Sequence, residues 1–589
     1  MGGSLNRPMV NDAYNNGNDG FYNASPQTQT PVTHRRRSHH LTPYEIRMMK
    51  NVQSLDFTVN DNLLLREDLE NKTRIKHLKK TLGINLLYAT ISILLVIVAG
   101  PMASSSGIPE VKGYLNGVKV PNSLGFKSLF GKIFSLIMSY SSGLFVGPEG
   151  PMIHIGSAIG AAVSQFRSST FEFYPKLFLQ YQNDRDKRDF ISVGAASGIS
   201  AAFGAPIGGV LFSIEEASSF WSRQLTWRTF FCCMIATFTT NFLLQGFGTS
   251  PDMHDTGLLT FGFSRLYLYR YSELLCFCIL GVLGGAFGAL FVFLNIHLNK
   301  WRRDYLKKNI SLRSIEAIVV MVITSVICFY SPSIFPCRYQ SNIQVEPSVC
   351  EDQTNAQMEQ FFCPPGMYSE MASLLFVNPD LALRRLYSRT NNSFTLGVLL
   401  VFTCIYFFLS VITSGLWVAG GLFVPMMMVG AGFGRFVGQV VGLWFEGIDA
   451  SIYALVGTAA MMAGYCRMTI SLVVIMVELT EGTQYLVPII LAVMIAKWVG
   501  DFFNESIFYR GQNGEIILDD NFRHQKFIEE TSKKVPKLED FDFNKYEEEK
   551  LVDLRPYMNS SSITIHDTFS FSECYKLFRT MGLRHLTVI

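Results

Sequence analysis

Charge is what this sequence has least of. Of its 589 residues only 16% are Asp, Glu, Lys or Arg, against 49% hydrophobic and 13% aromatic. A soluble globular protein carries about 25% charged residues. The deficit is local as well as global: Thr81–Pro109, Ile191–Ile214 and Phe394–Gly434 contain no charged side chain. Each is longer than the roughly 20 apolar residues that cross a bilayer. These features predict an all-α polytopic membrane protein. They exclude a soluble enzyme and a disordered scaffold. A net charge of +3 is too small to imply a polyanionic partner, so no nucleic acid is expected. The polar amino terminus lacks the apolar core of a secretory leader. No CxxC or His-containing zinc pattern surrounds the cysteines, so no metal is expected. Most of the 11 cysteines lie in apolar segments, where Cys packs as a small hydrophobe.

Residues 1–80 read as a cytosolic arm, polar and rich in Asn, Ser and Thr, with the basic run His34–His40 and the segment TRIKHLKK ending at Lys80. Residues 81–508 read as the membrane region. Residues 509–550 read as a cytosolic linker. The loop Ser331–Ala372 carries five acidic residues and one basic residue, whereas Asp184–Asp189 and Lys300–Lys308 are rich in Lys and Arg. The excess of Lys and Arg on cytosolic loops puts those two segments in the cytosol and the acidic loop outside or in a lumen. The sequon at Asn391 lies near the end of that loop and is the glycosylation candidate. Cys337, Cys350 and Cys363 lie in the same loop and allow one disulfide with one thiol left over; the sequence leaves the pair open.

Gly and Pro interrupt the membrane segments repeatedly, at SSSGIP (104–109), GLFVGPEGP (143–151), GAPIGG (204–209) and GGLFVP (420–425). Broken backbone at membrane depth survives only where protein covers it or where it lines a polar path. The halves also resemble one another. Gly143-Leu144-Phe145-Val146 recurs as Gly421-Leu422-Phe423-Val424, and the stretch from Gly194 to Glu215 recurs in length as Gly457 to Glu478. Internal repeats with broken helices point to a site at the repeat interface built from half-helix amino termini. Such termini favour anions. Three of them converging would cradle a small anion weakly enough to release it.

On these motifs the sequence resembles the CLC family of chloride channels and chloride/proton exchangers, over about residues 85–589. The signatures are Ser105-Ser106-Gly107-Ile108-Pro109, Gly147-Pro148-Glu149-Gly150-Pro151 and Gly421-Leu422-Phe423-Val424-Pro425; FGAPIGGVLFSIEEASSFW (203–221) and RDKRDF (185–190) look like the endosomal/lysosomal branch. The resemblance implies an inverted-repeat core with broken helices and one pathway per subunit of a homodimer. Its partners would be chloride, protons and the lipid bilayer, with an accessory subunit left open. Glu149 is implied as the gating glutamate and Glu216 as the internal proton acceptor. Ser106 with Leu422 and Phe423 is implied as the central chloride site. Taken alone, Glu149 is a helix-capping acid, and Glu215 and Glu216 mark the end of a helix, where acids oppose the dipole. His154 reads as a packed, hydrogen-bonded histidine. Antiport is the leading function; a passive channel, or a non-transporting isoform that pairs with full-length subunits, are the alternatives.

The sequence departs from the family in four places. Position 148 is Pro where a Lys or Arg is usual. Phe508 falls in the slot of the family's inner-gate Tyr, with Tyr509 beside it. One membrane helix ahead of Leu82–Gly100 is missing, which by parity would place the amino terminus in the lumen, against the pull of His77, Lys79 and Lys80. Finally, residues 551–589 resemble an incomplete α/β CBS module, with SSITI and HLTVI as strands, so no complete adenine-nucleotide site and no cofactor are expected. The last two departures suggest a shortened or alternatively spliced product.

Overall fold

Among the described residues, six helices are long and apolar enough to cross a membrane: Arg74–Ala99, Glu273–Leu306, Ile310–Ile334, Leu396–Thr413, Phe423–Gly442 and Thr483–Phe503. The computed structural model describes residues 63–117, 123–165, 183–246, 269–306, 309–339, 358–364, 366–388, 393–445, 448–480, 482–504, 506, 564–565 and 587–588. By contacts the chain divides into Met1–Asn71 and Lys72–Ile589. Phe508, Tyr509, Asn391 and Cys350 lie outside the described residues. So does most of the segment 551–589, of which Thr564–Ile565 and Thr587–Val588 pair as parallel strands.

Helix α1 spans Leu63–Ala99. It runs without a break through residue 80, where the polar arm was expected to give way to the membrane region. Its polar first part is rich in Leu, Glu, Lys and Arg, all good helix formers. Gly100, at φ 108°, and Pro101 end it. α2 (Ile108–Leu115), α3 (Phe126–Ser141), α4 (Glu149–Gln165), α5 (Asp184–Phe203) and α6 (Pro206–Phe212) build the first half, with a π-helical turn, Ser213–Ala217, closing α6. α7 (Arg223–Gly246), α8 (Glu273–Leu306) and α9 (Ile310–Tyr330) lead to the polar loop. There Cys337 is bonded to Cys363, which resolves the open pairing. After the short helices α10 (Ala372–Leu375) and α11 (Pro379–Tyr387), the second half follows. It comprises α12 (Leu396–Thr413), α13 (Phe423–Gly442), α14 (Ala450–Cys466), α15 (Ile470–Thr480) and α16 (Leu486–Phe503).

The internal repeat is real, but its register differs from the GLFV match. Gly147 and Gly421 exchange both backbone hydrogen bonds, at 2.8 and 2.6 Å. They are therefore the equivalent pair, and Gly147-Pro148-Glu149-Gly150-Pro151 corresponds to Gly421-Leu422-Phe423-Val424-Pro425. The GLFV match is four residues out of step. Counting from the helix starts, Gly156 of α4 then corresponds to Gly430 of α13. Each meets a glycine of the next helix: Gly156 lies on Gly194 of α5, and Gly430 lies on Gly457 of α14. Small residues let these backbones approach closely.

The spacing to Glu215 and Glu478 also has a physical cause. Glu478, near the end of α15, accepts from the amides of Ile207 and Gly208 at the start of α6, at 3.1 and 2.7 Å. Glu215, at the end of α6, accepts from the amides and hydroxyls of Thr469 and Ser471 at the start of α15, at 2.5–2.8 Å. Each half caps the other's helix. An acid that would oppose its own helix dipole thus satisfies the amino end of its neighbour.

Candidate functional site

The three broken loops converge. Ser105, at φ 61°, donates its amide to Val418 O at 3.0 Å, and the Gly147–Gly421 pair joins the other two loops. A side chain on Gly150 would lie 2.8 Å from Ser106 Cβ and 3.3 Å from Gly421 Cα, so only glycine fits where the loops meet. From α3, Ser139 Oγ donates to Ala419 O at 2.5 Å, and Ser135 Oγ accepts from the Ala419 amide at 3.4 Å. Each loop opens a helix with Pro in its first turn: Pro109, Pro151 and Pro425. Proline has no N–H to lose there and its φ suits the helix. The first amides of α2, α4 and α13 to bond within their own turn are Val111, Met152 and Met426. The preceding amides have no intrahelical acceptor.

Glu149 is the first residue of α4 and is completely buried. Neither carboxyl oxygen finds a hydrogen-bond partner of ordinary geometry. The backbone amides that face it are its own and that of Val424, in the first turn of α13. The carboxyl group thus stands where a small anion would meet the amino end of α13. Leu422 caps that helix, Phe423 is its first residue, and the half-buried Ser106 lies across from them against Gly150. The structure brings Glu149, Ser106, Leu422 and Phe423 together around one junction.

Glu216 lies in the π-helical turn, and its Oε2 is 2.8 Å from Lys112 Nζ of α2; both side chains are only 8% exposed. The compensation missing from the sequence reading is this ammonium for Glu216 and the α15 cap for Glu215. A second lysine, Lys132 of α3, is fully buried, with Nζ in the space that a Gly107 side chain would need. Glu110 lies within its electrostatic reach and accepts from Ser105 Oγ at 3.5 Å. His154 packs beside Lys132 and its Nε2 pairs with Ser123 Oγ at 3.1 Å, while its buried Nδ1 has no hydrogen-bond partner among the described residues.

Sequence reasoning missed Lys112, Lys132 and Tyr465. The two lysines had a signal: Lys112 is the one cation of α2, Lys132 lies inside the apolar α3, and both helices adjoin broken loops. Intramembrane charges are functional candidates by default. Tyr465 of α14 had none. It is buried, its ring lies 6.5 Å from that of Phe423, and it lies within electrostatic reach of both Glu149 and Glu216.

The sequence profile described as "Voltage gated chloride channel" matches residues 88–501. The chain belongs to this family, the CLC proteins. "Chloride channel protein C" of Dictyostelium discoideum is 57% identical over all of this chain and 98% of the relative. That alignment runs over 741 positions against 589 residues, so the relative carries internal segments that this chain lacks. Human "H(+)/Cl(-) exchange transporter 7" is 34% identical over 86% of this chain and 74% of the relative. The crystal structure of a eukaryotic CLC transporter shares the fold, with a TM-score of 0.58 at 22% identity, over 90% of this chain and 92% of that one. The chain is thus a multi-pass membrane protein with a CLC-type helical core, and relatives named as channels and as exchangers both align with it.

Proposed function

We propose that this chain exchanges chloride for protons across an endosomal or lysosomal membrane, with Glu149 as the gate. The observation that carries this reading is a buried, unpartnered carboxyl group at the amino end of α13. Ionised, it competes with chloride for the dipole and amides of that helix. Protonated, it loses that attraction and leaves the position to the anion. Ser106, Leu422 and Phe423 hold the chloride in this account, and Glu216 passes the proton from the opposite side. Net charge moves in each cycle, so the membrane potential biases exchange by about 2.3 kcal/mol per elementary charge per 100 mV. The active unit is a homodimer with one pathway in each subunit.

One observation favours passive chloride conduction instead. Glu216 is held by Lys112 at 2.8 Å in a nearly dry site, a contact that a structural acid would make. In that reading Glu216 holds structure and Glu149 alone gates. Purified protein in liposomes under a chloride gradient, with chloride and external pH recorded together, separates the two. Proton movement opposite to chloride, abolished in Glu149→Ala with chloride flux retained, supports exchange. Chloride flux without proton movement overturns it and leaves the channel.

A further inference from the structure

Helix α1 runs antiparallel to α9. Asn85 Nδ2 donates to Ser325 Oγ at 3.1 Å, while further along α1 Ala89 and Ile93 pack with Ala317, Val320 and Met321 of α9. α9 starts just after the basic segment 300–308 and ends at the loop that contains the Cys337–Cys363 bond. The amino-terminal part of α1 must therefore lie at the disulfide end, and its contacts agree. The Arg74 guanidinium sits 5.2 Å from the Phe362 ring centre, and the His77 ring lies 5.9 Å from it. Phe362 is itself fixed against Phe361 and against Phe329 of α9.

We propose that Arg74 and His77 dock on Phe362 of the disulfide-bonded loop, so that α1 enters the membrane from the luminal side. This reverses the cytosolic start that the basic residues suggested. The bias of Lys and Arg toward cytosolic loops opposes the arrangement. The contacts at this end of α1 support it nonetheless, with Arg74 and His77 both seated on Phe362, next to the bonded Cys363. Arg74 also gains a cation–π contact with Phe362. From Arg74 to Ala99 the helix has 26 residues, about 39 Å at 1.5 Å per residue, enough for a full crossing.

The test uses the full chain with an amino-terminal epitope tag, made in sealed microsomes and treated with protease from outside. The tag should be protected until detergent opens the vesicles, as a luminal control protein is. Cleavage of the tag in intact vesicles would overturn the proposal. A His77→Cys, Phe362→Cys pair gives a second reading on the same preparation. An oxidant-dependent link between the two positions is expected, and a pair that stays reduced while Cys337 and Cys363 are bonded counts against docking.

Discussion

The two halves of the membrane core share a backbone but not a chemistry. Gly147 pairs with Gly421, Gly156 has its counterpart in Gly430, and Glu215 and Glu478 cap each other's helices. Yet Glu149 in the first half stands where the second half has Phe423. By the register of the caps, Glu216 stands where the second half has Leu479. Gly204, which ends α5 at φ 66°, stands where Arg467 ends α14 at φ 65°. A left-handed residue with a side chain is costly. Arg467 spends that cost on Asn504 Oδ1, at 2.7 Å, and on Asp501, at 3.3 Å. Symmetry thus supplies the scaffold, a junction of helix amino ends. The two acids Glu149 and Glu216 have apolar counterparts, Phe423 and Leu479, in the second half, so the junction carries an asymmetry that the backbone lacks.

The largest expected effect comes from removing that asymmetry at the junction. Glu149→Phe copies the second half into the first. A permanently neutral group cannot alternate with chloride, so proton coupling should fall to background. The bulk should also block much of the chloride flux that Glu149→Ala would keep. Paired flux measurements on the two variants check this. Equal coupling in Glu149→Ala and wild type would show that the first half's acid is not the working difference.

The next effect is on stability. Lys112→Met leaves Glu216 buried without its partner, and breaking a buried pair costs about 3–5 kcal/mol. Replacing both members, Lys112→Met with Glu216→Leu, gives the first half the apolar character of Leu479. It should recover most of that loss, because buried pairs exchange for apolar groups at little net cost. Thermal unfolding in detergent measures all three proteins. Flux from the double variant then shows whether Glu216 carries protons: chloride flux without coupling supports the acid's role, and unchanged coupling removes it.

Much of this was legible in the sequence, and the reason is local. Charge-free stretches marked the helices, and Gly/Pro breaks marked the junction, because backbone satisfaction in a membrane leaves few alternatives. Pro109, Pro151 and Pro425 announced the three helix starts. The GLFV match misled because it compared side chains; the position of proline and glycine sets the register. The Lys112–Glu216 pair spans 104 residues, and no local pattern specifies such a partner. The Cys337–Cys363 pairing was hidden for the same reason. The early start of α1 was visible in its helix-forming composition, but its polar residues made it look like a tail.

The smallest effect concerns the reciprocal caps, where the halves are nearly equal and the sequence explains the remainder. Glu215 receives four hydrogen bonds because Thr469 and Ser471 each offer an amide and a hydroxyl. The corresponding positions in the first half are Pro206 and Gly208. Pro206 has no N–H, and neither residue has a side-chain donor, so Glu478 receives two bonds. Losing a cap costs about 0.5–2 kcal/mol. Glu215→Ala should therefore fall near the upper end of that range and Glu478→Ala near the lower. Thr469→Pro with Ser471→Gly strips the second half of its extra donors. In that background the two alanine substitutions should cost the same. If Glu478→Ala remains the milder change even there, the difference lies in burial at the two helix ends rather than in the donors, and the symmetry ends at the backbone.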